Sequence, residues 1–276
     1  MDQFEAGSHE FESTIDVETV RDRLAQLRVS EALIEQACKR IQGNATGVLL
    51  YGSWARGDAS AASDLDLLLL APHRADSGTD GKLSINCYSP KQFADAGQTL
   101  FGMHLARDGI VLHDTENRTA ELLSKFTAPD PQDLIGRIRD FSILLELPVE
   151  EQIEYLTGLC QVARYLLRSA IYAAALGDGD PCFSVAELAD RFNQPELTSL
   201  LSSHPGQYPE PSLEVLNDLK YRLSLVVGAP PSDSYETLHD LIIGSSISNP
   251  DLEKLATLAL GVGEGLPYAE LPKVIL

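Results

Sequence analysis

The side chains best suited to chemistry lie in two short motifs within residues 51–71. Gly52 and Ser53 follow one apolar run, and two aspartates separated by one residue, Asp64 and Asp66, open the next apolar run. Ten residues lie between the serine and the first aspartate, so the pattern reads G-S-x10-D-x-D. This layout predicts a site built where two strands meet.

The two aspartates predict a metal site. Successive side chains of a strand point to opposite faces, so we expect Asp64 and Asp66 on the same face. Two carboxylates so close repel each other unless a cation lies between them. Oxygen ligands select Mg²⁺ or Mn²⁺ over zinc. We therefore predict that Asp64 and Asp66 are catalytic carboxylates and ligands of a divalent metal ion.

The Gly-Ser turn has the chemistry of a phosphate site. Gly52 lets the backbone come close to an anion, and the N–H groups that begin a short predicted helix at residues 53–56 favour negative charge. The hydroxyl of Ser53 and the guanidinium of Arg56 add donors. A phosphate site beside a metal site implies a bound nucleoside triphosphate.

Hydrophobic periodicity predicts the elements that position these motifs. Two helices are expected within residues 16–42, with a break at Val29 and with Ser30 as the N-cap of the second. We then expect a polar loop at 73–81, strands at 47–51, 64–71, 82–88 and 109–113, and helices at 90–101 and 116–125.

Eight residues of this segment resemble the signature of the DNA polymerase beta-type nucleotidyltransferase superfamily, in its minimal and kanamycin-nucleotidyltransferase-like branches. They are Gly52, Ser53, Ala55, Arg56, Gly57, Ser63, Asp64 and Asp66. The resemblance implies transfer of a nucleoside monophosphate from a metal-bound NTP, with ATP as the expected donor, to a hydroxyl of an acceptor, with release of pyrophosphate. It also implies that Gly52, Ser53, Arg56 and Ser63 contact the nucleotide.

The sequence departs from this family at one position of the site. The third strand commonly carries a third carboxylate in such enzymes, but the site-facing residues here are Ser84 and Asn86. Neither is a strong base, although Asn86 could offer an oxygen to a metal. Kanamycin-nucleotidyltransferase-like enzymes recruit a glutamate from outside the sheet, which makes candidates of Glu146, Glu150, Glu151 and Glu154. The alternative is a catalytically weak or inactive protein that binds nucleotide or a partner, for example of antitoxin type.

After the boundary at residues 127–131, helical spacing dominates the chain. Helices are expected at 134–147, 150–176, 184–192, 195–202, 212–227, 234–243 and 251–260. The predicted class is therefore α+β: a flexible tail at 1–14, a catalytic domain with a small mixed sheet and flanking helices at 15–126, and an all-α bundle at 132–276. We expect the bundle to bind the acceptor or another partner.

Four residues outside the two motifs have less specific predicted roles. Arg164 and Arg168 lie one turn apart in the longest predicted helix, where solvated or ion-paired side chains are the expectation and contact with nucleotide phosphates is the alternative. His104 and His113 have no partners at metal-ligand spacing, so we expect them to be structural or surface residues.

Composition bears on the class of acceptor and on the cellular compartment. The chain of 276 residues carries 41 acidic against 21 basic side chains, a formal charge of −20, which argues against binding nucleic acid through its phosphates. A neutral or cationic small molecule or a basic protein suits this charge better as acceptor, although an acidic surface serves solubility equally well. The four cysteines are scattered, and no leader or membrane-length apolar run is visible, so we expect reduced thiols, no membrane contact and a cytoplasmic protein.

Overall fold

The structure is a computed structural model that describes residues 15–41, 45–61, 63–71, 77–202 and 206–261. The predicted tail at 1–14 and the last fifteen residues of the predicted bundle, 262–276, lie outside the described residues.

A mixed five-stranded sheet forms the N-terminal part of the fold. Its strands are β1 (Gly47–Tyr51), β2 (Leu65–Leu70), β3 (Gly78–Asp80), β4 (Leu83–Tyr88) and β5 (Ile110–Asp114), in the spatial order β3-β4-β2-β1-β5. Strands β2 and β4 are parallel, and the other neighbours are antiparallel. Four of the five strands were predicted to within one residue at each end.

Strand β3 falls inside the stretch predicted as a loop, so that prediction is wrong for residues 78–80. The strand is three residues long, lies at the edge of the sheet and is half-buried or exposed. A short edge strand of this kind has no buried face, so the sequence shows no alternation of apolar residues.

Helices cover both faces of the sheet. They are α1 (Val17–Gln26), α2 (Glu31–Arg40), α3 (Gly52–Arg56), α4 (Pro90–Asp95), α5 (Leu100–Asp108) and α6 (Arg118–Leu123). The break between α1 and α2 is confirmed, and Ser30 occupies the N-cap position without a capping bond from its side chain.

The single helix predicted at 90–101 is wrong, because a turn of 3₁₀ helix separates α4 from α5. The hydroxyl of Thr99 accepts a hydrogen bond from the N–H of Gly102 at 3.0 Å and so begins a new helix. A Cβ on Gly102 would lie 2.1 Å from the carbonyl oxygen of Ala96, so this junction requires glycine.

The remainder of the described chain is helical. It contains α7 (Pro131–Phe141), α8 (Val149–Glu154), α9 (Leu156–Gly177), α10 (Val185–Arg191), α11 (Glu196–Leu200), α12 (Leu213–Val227), α13 (Leu238–Ser248) and α14 (Pro250–Ala259). Helix α9 is buried along most of its length and packs against α7, α12 and α14. The helix predicted at 150–176 is two helices, since the backbone at Tyr155 leaves the helical region.

Hydrophobic side chains form one cluster on each face of the sheet and a third, larger cluster in the helical region. The α+β class with a helical C-terminal region is therefore confirmed. The domain bounds at 15–126 and 132–276 remain a prediction. The four cysteines are free, and Cys38, Cys160 and Cys182 are buried.

In the described part of the chain, no helix combines the length and apolar character needed to cross a bilayer.

Candidate active site

Strand pairing brings the two motifs to the same end of the sheet. Because β1 and β2 are antiparallel, Tyr51 at the end of β1 lies opposite Asp66 at the start of β2. On the other side, Asp66 lies opposite Ser84 of the parallel strand β4. The Gly-Ser turn therefore begins directly beside the aspartates, although ten residues separate the motifs in sequence.

Gly52 fits closely against a carboxylate. Its φ of +74° lies in the left-handed region, and a Cβ at this position would lie 2.5 Å from Oδ2 of Asp66. Gly57, which ends α3, has a similar φ of +78°, but no atom of the described residues lies within 4 Å of an added Cβ. Of these two glycines, Gly52 is thus the one required both by its backbone conformation and by the space it leaves for Asp66.

The electrostatics of Asp66 favour a cation between the two carboxylates. Burial, followed by the negative charge of Asp64, raises the pKa of Asp66 to about 7, while Arg56 and a hydrogen bond from Ser84 oppose the shift. A divalent ion would remove the repulsion. Mg²⁺ is commonly held by one or two carboxylates together with substrate phosphates, so the pair fits such an ion bound with a triphosphate.

The protein donors at this position are few. The described residues contain no cluster of three or more His, Cys, Asp or Glu side chains that could hold a metal ion. Phosphate oxygens and water would therefore supply the other ligands. Ser63 is buried, and its hydroxyl accepts a hydrogen bond from the N–H of Ser60 at 2.9 Å, which shapes the loop that leads into Asp64.

Arg56 already has several polar partners. Its Nε lies 3.3 Å from Oδ2 of Asp58, and one terminal nitrogen lies 3.8 Å from Oδ2 of Asp108. That nitrogen also lies 3.2 Å from Nε2 of His104. Arg56 therefore ties the turn after β1 to α5, and its contact with phosphate remains a prediction.

His104 is a buried residue of this junction, in agreement with a structural role. Its ring stacks on Phe183 at 5.3 Å between centroids, and burial, followed by the charges of Arg56, Arg107 and Arg168, lowers the pKa of His104 to about 3. The imidazole is therefore neutral. Because a guanidinium can only donate, Nε2 accepts from Arg56 and the other ring nitrogen carries the proton.

The helical region directly contacts residues 52–58, which we call the nucleotide turn because nucleotide binding is predicted there. The hydroxyl of Ser184, the N-cap of α10, donates to Oδ2 of Asp58 at 2.7 Å. Nearby, Arg107 donates to the carbonyl of Pro181 at 2.5 Å and pairs with Glu187 at 3.1 Å. Sequence reasoning did not assign Asp58, Asp108, Phe183 or Ser184 to the site, and only the N-cap pattern at Ser184 gave any local signal.

Strand β4, the third of the four strands predicted from the sequence, carries Ser84 and Asn86. Ser84 lies beside Asp66 and hydrogen bonds to it. Asn86 is buried, with 2% of its surface exposed, and its side-chain N–H donates to the hydroxyl of Tyr51. Asn86 therefore packs beneath the site against an aromatic ring.

The glutamates considered as bases lie at the other end of the helical region. Glu146 pairs with Lys220 at 3.2 Å, and Glu151 accepts from the N–H of Leu238 at 2.8 Å. Helix α8 precedes the N-terminus of α9, whereas the contact with the nucleotide turn lies near Tyr172, which packs on Phe183. Leu156, at the start of α9, and Tyr172 are sixteen residues apart, which corresponds to about 24 Å along the helix.

Comparison with known families gives a match in the same part of the chain. Residues 31–103 match the family model described as the nucleotidyltransferase domain. This match begins with α2, includes β1 to β4 and both motifs, and ends within α5. No curated protein matches the chain. Residues 31–103 therefore carry a nucleotidyltransferase domain of the polymerase beta-like superfamily, as the G-S-x10-D-x-D signature predicted.

Proposed function

We propose that the protein transfers a nucleoside monophosphate from a nucleoside triphosphate, with ATP as the expected donor, to a hydroxyl of a small-molecule or protein acceptor. The close approach of Gly52 to Asp66 carries this proposal, because it joins an anion-binding turn to a pair of carboxylates in one site. The match to the nucleotidyltransferase domain family supports the same reaction.

The chain's residues divide into two roles in this reaction. Asp64 and Asp66 would hold Mg²⁺ or Mn²⁺, which neutralises charge that develops on the phosphate oxygens. The backbone at Gly52 and the hydroxyl of Ser53 would bind the phosphates, and Arg56 would assist. Ser63 would orient the loop that carries Asp64.

The bond changes define the products. The acceptor oxygen forms a bond to the α-phosphorus, while the bond from that phosphorus to its bridging oxygen breaks. Pyrophosphate leaves with the electron pair, and the hydroxyl proton passes to a base or to water. Phosphoryl-group transfer depends mainly on positioning and charge stabilisation, which the turn and the carboxylate pair would supply.

The charge of the chain bears on the acceptor. With 41 acidic and 21 basic residues, the protein repels polyanions. A neutral or cationic small molecule, or a basic protein modified on a side-chain hydroxyl, is the acceptor class that we favour over nucleic acid.

A catalytically weak or inactive nucleotide-binding or partner-binding protein is the second candidate. It is favoured by Ser84, which lies beside Asp66 where the superfamily commonly has a carboxylate. Binding without turnover separates the two candidates. Calorimetric titration with Mg-ATP would detect binding, and an assay of pyrophosphate release from the same samples would detect transfer.

Transfer itself is tested with the four α-³²P-labelled NTPs, Mg²⁺ or Mn²⁺, and panels of candidate acceptors, followed by mass spectrometry of labelled products. We expect label in an acceptor with the wild-type protein and none with the Asp64→Asn, Asp66→Asn double variant. Equal labelling by the two proteins would contradict the proposed site.

A further inference from the structure

Among the described residues, Arg164 is a buried cation without a carboxylate partner. Only 7% of its surface is exposed, although the sequence predicted a solvated or ion-paired side chain. Its contacts are neutral: one terminal nitrogen donates to the carbonyl of Pro209 at 3.2 Å, and the guanidinium lies 4.1 Å from the ring centroid of Tyr208. Its Nε is buried and has no hydrogen-bond partner among the described residues.

This arrangement differs from that of four other partly buried arginines. Other partly buried arginines have acidic partners: Arg56, Arg107, Arg191 and Arg222 each pair with at least one aspartate or glutamate. Acidic residues outnumber basic ones 41 to 21, so a counter-charge would be easy to provide. A guanidinium keeps its proton even when it is buried, and an unpaired buried charge is costly. An anionic ligand at Arg164 would account for both facts.

The position of Arg164 connects it to the candidate active site. Arg168 is also buried and lies one turn along α9 from Arg164. Tyr172, one further turn along α9, packs on Phe183, whose ring stacks on His104. His104 in turn contacts the nucleotide turn. Arg164 therefore lies two turns of α9, or about 12 Å along the helix, from the packing contacts that reach this turn.

We propose that Arg164 binds a phosphate group of a substrate, with Tyr208 covering one face of the guanidinium. A guanidinium matches phosphate through two parallel hydrogen bonds, which a single carbonyl contact leaves unmade. The phosphate belongs either to the triphosphate of the donor or to a phosphorylated acceptor. That choice rests on the proposed function, whereas the anion site itself does not.

Metal-free anion binding tests this site separately from catalysis. Pyrophosphate is titrated calorimetrically in EDTA at constant ionic strength into wild type, Arg164→Gln and Arg164→Lys. Arg139→Gln is the matched control, because Arg139 is half exposed and lies 3.5 Å from Asp140. We expect Arg164→Gln to weaken binding by at least about tenfold, Arg164→Lys to weaken it less, and the control protein to bind like wild type.

Absence of pyrophosphate binding by wild type would overturn the proposal, as would equal binding by the wild-type and Arg164 variants. If Arg164→Gln does not fold, the same comparison rests on Arg164→Lys. Lysine keeps the positive charge but loses the planar guanidinium, which can donate two parallel hydrogen bonds. A second titration in the presence of Mg-ATP identifies the source of the phosphate. Displacement of pyrophosphate by the nucleotide would assign the site to the donor's triphosphate, and simultaneous binding would assign it to a phosphorylated acceptor.

Discussion

Replacement of His104 by Gln should change how the stability of the protein depends on pH. The folded protein keeps this imidazole neutral, because burial and three neighbouring arginines lower its pKa to about 3 from a usual value of 6.5. The carboxylate of Asp108, 3.7 Å from Nε2, opposes this shift only in part. Glutamine stays neutral at every pH and can still accept a hydrogen bond from Arg56.

The sign and size of the effect follow from the two pKa values. Below pH 6.5 the unfolded chain gains a proton on His104 that the folded protein does not take up until about pH 3. Acidification through this range therefore favours the unfolded state. At pH 5, which is 1.5 units below the unfolded value, the loss is about 2 kcal/mol relative to pH 7. Glutamine loses the ring contact with Phe183, so the variant should be less stable than wild type at pH 7.

Urea unfolding at pH 7 and pH 5 measures the difference. We expect the stability gap between wild type and His104→Gln to narrow by about 2 kcal/mol at pH 5. His239→Gln, which removes an exposed histidine, serves as the control. The difference in stability between wild type and His239→Gln should be the same at pH 7 and pH 5. A constant gap for His104→Gln would show that the imidazole titrates normally in the folded protein and would refute the reasoning.

Three further predictions concern the candidate site. Asp66→Asn should stabilise the metal-free protein by about 3 kcal/mol more at pH 8 than at pH 5, because the raised pKa of Asp66 makes its ionised form unfavourable in the fold. Thermal unfolding at the two pH values measures this difference. The same measurement with and without Mg²⁺ would show whether the metal stabilises only the wild-type protein. Ser184→Ala should cost about 1–3 kcal/mol and raise the KM for the NTP, because it removes the 2.7 Å bond to Asp58; an unchanged KM would mean that this contact is only structural. Gly52→Ala should abolish Mg-ATP binding in calorimetry, whereas Gly57→Ala, with a similar φ but open space, should keep it; equal losses would implicate backbone strain alone.

The central motif could be predicted because its information is local. Alternation of side chains placed Asp64 and Asp66 together, and apolar runs gave β1 and β2 to within one residue. The antiparallel pairing of these strands then brings Gly52 to Asp66. The match of residues 31–103 to the nucleotidyltransferase domain agrees with that prediction.

The surroundings of the motif could not be predicted in the same way. Phe183 stacks on His104 and Ser184 bonds to Asp58 across more than seventy residues of sequence, and no spacing rule links such positions. The prediction of a solvated or ion-paired side chain at Arg164 was wrong, because the residue is buried. The prediction followed the general rule that arginine is exposed or paired. In each case tertiary packing, which a single sequence does not display, decided the environment.

The contact between Asp58 and Ser184 changes the role that the helical region is expected to play. The four glutamates considered as bases precede α9. The start of α9 lies about 24 Å along the helix from Tyr172, near this contact, so a base from this region would require a large rearrangement. Asp58, in contrast, accepts from Ser184 and pairs with Arg56, so the start of α10 can fix the position of the nucleotide turn. Because phosphoryl transfer depends on positioning and charge more than on a strong base, Ser84 in place of a carboxylate is compatible with turnover. Under these proposals, the helical region would act on the reaction by holding the turn in place and, through Arg164, by binding a phosphate.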